Sequence, residues 1–103
     1  MVTKEVLINN GFECEVIKVI QEGYYTELVP KFIQEEYFTK LVPIKSNKDI
    51  LYKLTVWNGS NTIGREWAIQ IDNERKESCG SVDFQTIEQF NMFMELLDID
   101  FKM

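Results

Sequence analysis

The sequence predicts an α+β fold, in which a mainly antiparallel sheet of about five or six strands packs on an N-terminal and a C-terminal helix. Short segments in the middle of the chain alternate apolar and polar residues, which is typical of strands. The last segment repeats apolar residues every three to four positions, which is typical of a helix. The chain has 103 residues. We therefore expect residues 1–103 to form a single α+β domain whose core needs no metal or disulfide.

The first predicted element is a short helix over residues 4–10. Thr3 suits the N-cap position, because its hydroxyl can accept a hydrogen bond from a free N–H of the first turn. Gly11 suits the left-handed position that follows a helix, and Phe12 can then pack back on Leu7. So short a helix must be stabilised by packing on the sheet.

Four strands are predicted from alternation and from their content of β-branched residues, over residues 13–22, 50–57, 67–72 and 78–84. The segments 58–61 and 72–76 between them are rich in turn-forming residues. In the last strand, Gly80, Val82 and Phe84 should share one face.

Residues 24–44 contain a near-repeat, in which Tyr-Tyr-Thr-Glu-Leu-Val-Pro at 24–30 returns as Tyr-Phe-Thr-Lys-Leu-Val-Pro at 37–43. As strands, the copies would form a hairpin that turns near residues 34–36, with each proline at an edge or a bulge. As a helix, the segment would place Pro30 in a helix interior at a cost of ~3 kcal/mol. We favour strands, and the helix stays the alternative.

The last predicted helix has a clear start, since Thr86 and Gln89 fit the capping-box pattern. Apolar residues then recur on one helix face: Ile87, Phe90, Phe93, Met94 and Leu97.

The charge balance limits the partners of the chain. Seventeen acidic and eleven basic residues give a net charge of −6, which argues against direct binding to nucleic acid or to an anionic membrane. An acidic inhibitor that mimics nucleic acid is one hypothesis, and it predicts carboxylates at phosphate-like spacing on one face. Apolar runs are too short for a membrane span, and residues 1–7 do not resemble a signal peptide. We therefore expect a cytoplasmic protein.

The sequence offers few candidate residues for catalysis or for metal binding. Histidine is absent, which removes histidine-based catalysis and zinc sites that need imidazole. Asp72, Glu74 and Asp83 could gather as oxygen ligands of a divalent cation, but turn chemistry explains such residues as well. Cys14 and Cys79 are expected to be reduced thiols. An enzyme that uses carboxylates or Cys79 would need a concave pocket with two convergent titratable groups. We expect no cofactor and no metal.

The first-ranked functional hypothesis is a binding protein without catalytic activity. Tyr24, Tyr25, Tyr37 and Phe38 cluster within fifteen residues, and aromatic side chains are enriched at protein interfaces. They would bind a protein partner or form a homodimer, either through the tyrosine hairpin or through an edge strand.

The C-terminal part also carries a resemblance. Residues 67–74 read Trp-Ala-Ile-Gln-Ile-Asp-Asn-Glu, and residues 80–83 read Gly-Ser-Val-Asp before the last helix. This W-x-I-x-I-D-N-E strand, followed by a G-S strand and a helix, resembles small uncharacterised proteins of gut bacteria and their phages or mobile elements. Residues 7–12 resemble the opening helix of those proteins. Those proteins often carry histidines beside the Trp strand, whereas this chain has no histidine. The resemblance implies a small accessory protein and assigns no site residue.

Overall fold

The computed structural model describes residues 2–21, 31–58 and 67–103, and it describes side chains within these ranges except those of residues 17–21 and 31–35. In chain order the elements are α1 (Lys4–Asn9), β1 (Glu13–Gln21), β2 (Lys31–Pro43), β3 (Leu51–Asn58), β4 (Trp67–Asp72), β5 (Ser78–Phe84) and α2 (Ile87–Leu96). The five described strands form one open antiparallel sheet in the order β1-β2-β3-β4-β5. The predicted α+β fold is confirmed.

Helix α1 begins and ends as its sequence predicts. The Thr3 hydroxyl accepts a hydrogen bond of 3.3 Å from the Val6 N–H. At the other end, Gly11 has a φ of +89°, and the Phe12 N–H donates to the Leu7 carbonyl at 3.1 Å. This is a Schellman ending, which needs a left-handed residue and is therefore suited to glycine.

Helix α2 has the predicted capping box. The Thr86 hydroxyl accepts from the Gln89 N–H at 3.1 Å, and the Gln89 side chain accepts from the Thr86 N–H at 3.3 Å. The helix also ends in a Schellman motif, because the Ile99 N–H donates to the Met94 carbonyl at 3.0 Å. Here the left-handed residue is Asp98, with a φ of +59°, and no glycine marks the position.

Packing on one face of the sheet is centred on Phe90 of α2, which is fully buried. Its ring centroid lies 5.3 Å from that of Phe84, 5.9 Å from that of Phe101 and 6.4 Å from that of Phe12. Edge-on contacts of this kind contribute about 0.5–1.5 kcal/mol each beyond burial. One ring thus joins both helices, the last strand and the C-terminal segment.

Lys40 is a charged residue on this same face. Its Nζ lies 5.0 Å from the centroid of the Phe101 ring, a cation–π contact. A Cβ at position 11 would collide with Nζ of Lys40. Nζ is the end of a flexible side chain and can move aside, so it is the φ angle of +89° that requires glycine at position 11.

The alternation of the strands separates two faces of the sheet. The face that packs on the helices, here called the covered face, holds the buried strand residues Phe38, Val42, Leu54, Val56, Trp67, Ile69, Ile71 and Phe84. Gly80 and Val82 share this face with Phe84, as predicted. The N-terminus is also tied to it, since Nε1 of Trp67 donates to the Val2 carbonyl at 3.1 Å.

The predicted turn near residues 34–36 is wrong. Strand β2 runs without a break from Lys31 to Pro43, and Gln34 and Glu36 lie opposite Lys18 and Val16 of β1. The physical reason is that glutamine and glutamate are poor turn formers, whereas pairing with the long strand β1 satisfies the backbone of the whole segment. The second copy of the repeat is a strand, as predicted, and the first copy at 24–30 lies outside the described residues.

Pro43 lies where its missing N–H is harmless, because the β1 pairing reaches β2 only at Thr39. Beyond that point the C-terminal segment takes the place of β1 through a bridge between Ile44 and Ile99. The Asp100 N–H donates to the Pro43 carbonyl at 2.9 Å. This long-range pairing shields the free edge of β2.

The turn between β4 and β5 is organised by Asn73, as the sequence of residues 72–76 predicts. Its side-chain oxygen accepts from the N–H groups of Arg75 and Glu77, both at 2.9 Å. The Lys76 N–H donates to the Asn73 carbonyl at 3.0 Å, and Lys76 itself has a φ of +62°. A lysine therefore occupies a left-handed position that favours glycine.

Replacing Lys76 by glycine should stabilise the protein. The left-handed backbone costs a lysine about 1–2 kcal/mol, whereas glycine loses about 0.4–1 kcal/mol more chain entropy on folding. The expected net gain is roughly 0.5 kcal/mol in the free energy of unfolding, measured by urea denaturation. As a control, Arg75→Gly in the same turn should give no gain. A Lys76→Gly variant that is less stable than the wild type would contradict this description of the turn.

Candidate functional site

The face of the sheet opposite the helices, here called the open face, has no described helix packed on it. Its described side chains follow from the strand registers and the alternation along each strand. They are Glu13, Glu15, Tyr37, Thr39, Leu41, Pro43, Leu51, Lys53, Thr55, Trp57, Ala68, Gln70, Asp72, Ser78, Ser81 and Asp83. This face carries two neighbouring aromatic side chains, Tyr37 and Trp57, and two exposed leucines.

Tyr37 and Trp57 form an aromatic pair at one end of the open face. They lie directly opposite each other on β2 and β3, with ring centroids 6.0 Å apart and ring planes inclined by 46°. Both side chains are half-buried. The contact orders the two rings against each other while part of each ring surface stays accessible to a partner.

A stripe of side chains that is less polar than the flanks of the open face continues from this pair along β2 and β3 to Leu41 and Leu51. Thr39 and Thr55, which lie opposite each other, come next after the aromatic pair. Leu41 and Leu51 then expose 62% and 41% of their surface. Together, Tyr37, Trp57, Thr39, Thr55, Leu41 and Leu51 are called the open-face stripe below. Thr39 is only 9% exposed and Lys53 lies opposite Leu41, so the apolar surface of the stripe is concentrated at the aromatic pair and at the two leucines. Exposed apolar side chains on one surface are typical of a docking surface.

Carboxylates flank the open-face stripe on both sides. Glu15 lies opposite Tyr37 on the β1 side, and Asp83 lies opposite Ala68, the residue that pairs with Trp57. Glu13 and Asp72 add one carboxylate to each flank, whereas Lys53 is the one cation among the described open-face side chains. Among the described side chains of this face, four acidic groups against one basic group give a formal charge of −3.

The predicted partner-binding residues separate in the structure. Tyr37 lies on the open face, but Phe38 is only 2% exposed and packs on the covered face, with its ring centroid 6.0 Å from that of Trp67. Adjacent strand residues point to opposite faces, so Tyr37 and Phe38 do not share one surface. Tyr24 and Tyr25 lie outside the described residues.

Trp57 belongs to the site, although the sequence analysis did not assign it a role. Val56 beside it is buried, so the alternation of β3 already places Trp57 on the face away from the core. Its contact with Tyr37 depends on the register between two strands, which no local pattern encodes.

The three candidate metal ligands do not come together. Asp83 lies opposite Ala68, and Ala68 is four residues from Asp72 along β4. The Asp72 side chain accepts a hydrogen bond of 3.0 Å from the Gln70 side chain. Glu74 instead accepts from the Leu51 N–H at 3.4 Å. Within residues 2–21, 31–58 and 67–103, no three histidine, cysteine, aspartate or glutamate side chains are grouped to hold a metal ion.

The two cysteines are free and exposed, and they lie on the two outer strands of the described sheet, β1 and β5. Four strand spacings of about 4.8 Å separate these strands, which is too far for a disulfide. Sγ of Cys79 contacts the Glu77 carbonyl at 3.8 Å. Carbonyl contact does not activate a thiol, since activation needs a nearby cation or a helix N-terminus.

A separate cluster of charges joins the β2–β3 turn to the C-terminus. The Glu95 carboxylate lies 2.9 Å from Nζ of Lys45 and 3.3 Å from Nζ of Lys102. Hydrogen bonding to Lys45 and then to Lys102 lowers the pKa of Glu95, and the bond to Glu95 raises the pKa of Lys45. An open hollow of about 540 Å³ lies beside it, lined by Lys45, Ile99, Asp100, Phe101 and Lys102.

The ion pairs of this region hold neighbouring chain segments together. Asp100 pairs with Lys48 at 3.5 Å, and Asp98 accepts from the Ser46 N–H at 3.2 Å. Both contacts link residues 44–50 to residues 98–102. Asp98 and Asp100 are therefore each bound to the turn between β2 and β3.

No family model, curated protein or solved structure matches the chain. Neither α1 nor α2, the two helices of the described residues, has the length and apolar character that a membrane crossing requires.

The Glu95 cluster should make stability depend on pH. A carboxylate whose pKa is lowered in the folded state stabilises it above the ordinary glutamate pKa, and this contribution is lost as the pH falls through the folded-state value. The raised pKa of Lys45 acts at the alkaline end, where its contribution is lost as the pH rises through the folded-state value. Glu95→Gln should therefore lower the thermal midpoint at neutral pH and have no effect in strong acid.

The control for this prediction is Glu15→Gln, since the described residues supply no ion-pair partner for Glu15. At neutral pH, the shift in thermal midpoint caused by Glu15→Gln should be smaller than the shift caused by Glu95→Gln. Equal shifts in the two variants would show that the cluster contributes nothing specific.

Proposed function

We propose that this chain is a small interaction protein without catalytic activity, which binds a protein partner through the open face of its sheet. The resemblance of its sequence favours an origin in a phage or a mobile element. The proposed place of action is the cytoplasm, which the sequence predicts. The observation that carries the proposal is the half-buried pair of Tyr37 and Trp57, continued by Leu41 and Leu51 on a sheet face without a described helix.

The fold itself does not account for these side chains. The core is built on the covered face, where Phe38, Leu54 and Val56 are buried. A solvated sheet face is normally polar, whereas this one carries two aromatic rings and, four to six residues further along β2 and β3, two exposed leucines. Tyrosine and tryptophan are also the residues that most often dominate binding energy at interfaces.

The charges of the open face favour a different protein over a second copy of this chain. Two open faces placed against each other would bring together surfaces of formal charge −3, and like charges across an interface weaken association. The same charge disfavours nucleic acid and anionic membranes. An acidic mimic of nucleic acid is supported less, because lysines pair with acidic residues elsewhere on the surface, as in Lys4–Glu36 and Lys45–Glu95.

Substitution of the aromatic pair tests the proposal. Tyr37→Thr and Trp57→Thr keep a β-branched residue in each strand and remove the rings. Each should reduce capture of the partner from a lysate of the source cell by at least about tenfold, because central aromatic residues carry much of an interface's energy. The readout is quantitative mass spectrometry of proteins retained by the immobilised chain.

The matched control lies on the other side of the molecule. Met92 and Leu96 of α2 are 66% and 77% exposed, so Met92→Ser and Leu96→Ser also remove exposed apolar surface, and they should leave capture unchanged. A thermal melt of each variant verifies folding. Full capture by the folded Tyr37→Thr and Trp57→Thr variants would contradict the proposal.

A further inference from the structure

We infer that the partner presents a basic amphipathic segment, and that one of its arginine side chains binds on the Tyr37–Trp57 pair between Glu15 and Asp83. This inference rests on the proposed function, because it names the chemistry of the partner that the open face would bind. It follows from the order of side chains across the sheet and from the charges on both flanks of the open-face stripe.

The register places five side chains in one row across the five strands. From β1 to β5 the row reads Glu15, Tyr37, Trp57, Ala68 and Asp83. Neighbouring strands lie about 4.8 Å apart, so each carboxylate is one or two strands from the aromatic pair. Ala68, which lies between Trp57 and Asp83 in the row, contributes only a methyl group.

This row combines the two kinds of group that bind a guanidinium. The planar guanidinium stacks on aromatic faces within about 6 Å of a ring centroid. Its N–H groups also match the two oxygens of a carboxylate. An arginine lying over the aromatic pair can therefore bond to Glu15, which is one strand from Tyr37, while Asp83, two strands from Trp57, attracts it over a longer distance. Lysine has no planar face to stack and should bind this row more weakly.

The length of the stripe indicates the form of the segment. From Tyr37 to Pro43, which lies opposite Leu51, the strand advances by six residue steps, or about 20 Å at about 3.4 Å per step. A helix of about 13 residues has this length. Such a helix would cover the open face as the two terminal helices cover the other one, giving a sheet between two helical layers. Basic residues at both margins of its apolar side would meet the acidic flanks.

The flanking carboxylates disfavour other occupants. An acidic segment would be repelled by the formal charge of −3. A wholly apolar segment would cover Glu15 and Asp83 without giving them a partner, and a buried unpaired charge is costly. A second copy of this chain brings the same negative surface. A basic amphipathic segment satisfies both the stripe and its flanks.

Synthetic peptides of roughly 14 residues, each with leucines on one helix face, test the inference. The polar face carries arginine in the first peptide, lysine in the second and glutamate in the third. Calorimetric titration of the wild-type chain should give binding in the order arginine, lysine, glutamate, with at least about a tenfold difference between the first and the last. Equal affinity for the arginine and glutamate peptides would overturn the inference.

A charge-matched pair of variants separates the flanks from the net charge. Glu15→Gln with Asp83→Asn removes two carboxylates from the aromatic row. Glu5→Gln with Glu88→Gln removes two exposed carboxylates from the helices. The first variant should bind the arginine peptide about tenfold more weakly than the second, and its affinity should depend less on salt concentration. Equal weakening in the two variants would show that only net charge attracts the peptide.

Capture of the natural partner distinguishes failure of the inference from failure of the proposed function. If Tyr37→Thr abolishes capture but Glu15→Gln with Asp83→Asn retains it fully, the open face binds a partner that does not use these carboxylates, and the inference fails alone. If Tyr37→Thr also retains capture, the proposed function fails as well. The inference and the proposed function are both supported if Tyr37→Thr and the Glu15→Gln, Asp83→Asn variant each lose capture while the Glu5→Gln, Glu88→Gln control retains it.

Discussion

The packing of Phe90 is the interaction on which the rest of the structure depends. Its ring contacts Phe12 at the end of α1, Phe84 at the end of β5 and Phe101 in the C-terminal segment. All these groups meet on the covered face, so one buried ring holds both helices and the C-terminal segment on the same side of the sheet. The opposite face is left to side chains that the core does not use.

The helices could be predicted because their signals are local. Thr3 and Gly11 mark the two ends of α1, and Thr86 with Gln89 marks the start of α2, each through backbone groups within a few residues. Long-range features could not be predicted in this way. The bridge between Ile44 and Ile99 and the unbroken course of β2 both depend on partners that are distant in sequence.

The candidate site was predictable in part. Its aromatic content is visible in the sequence, but a cluster counted along the chain ignores the two-residue period of a strand, which sends Tyr37 to the open face and Phe38 to the core. Trp57 joins Tyr37 only through the β2–β3 register, and Glu15 and Asp83 join the same row from strands at opposite sides of the sheet. A site built across strands is set by their pairing.

The most direct test of this two-faced sheet is the hydrogen exchange of the two indole N–H groups, followed by NMR in the free protein. Trp67 is buried and its indole N–H donates to the Val2 carbonyl, so its exchange should be strongly protected. Trp57 lies on the open face, and its indole should exchange much faster. Two indoles with equal, strong protection would show that the open face is covered in the free protein, which would contradict a docking role for the Tyr37–Trp57 pair.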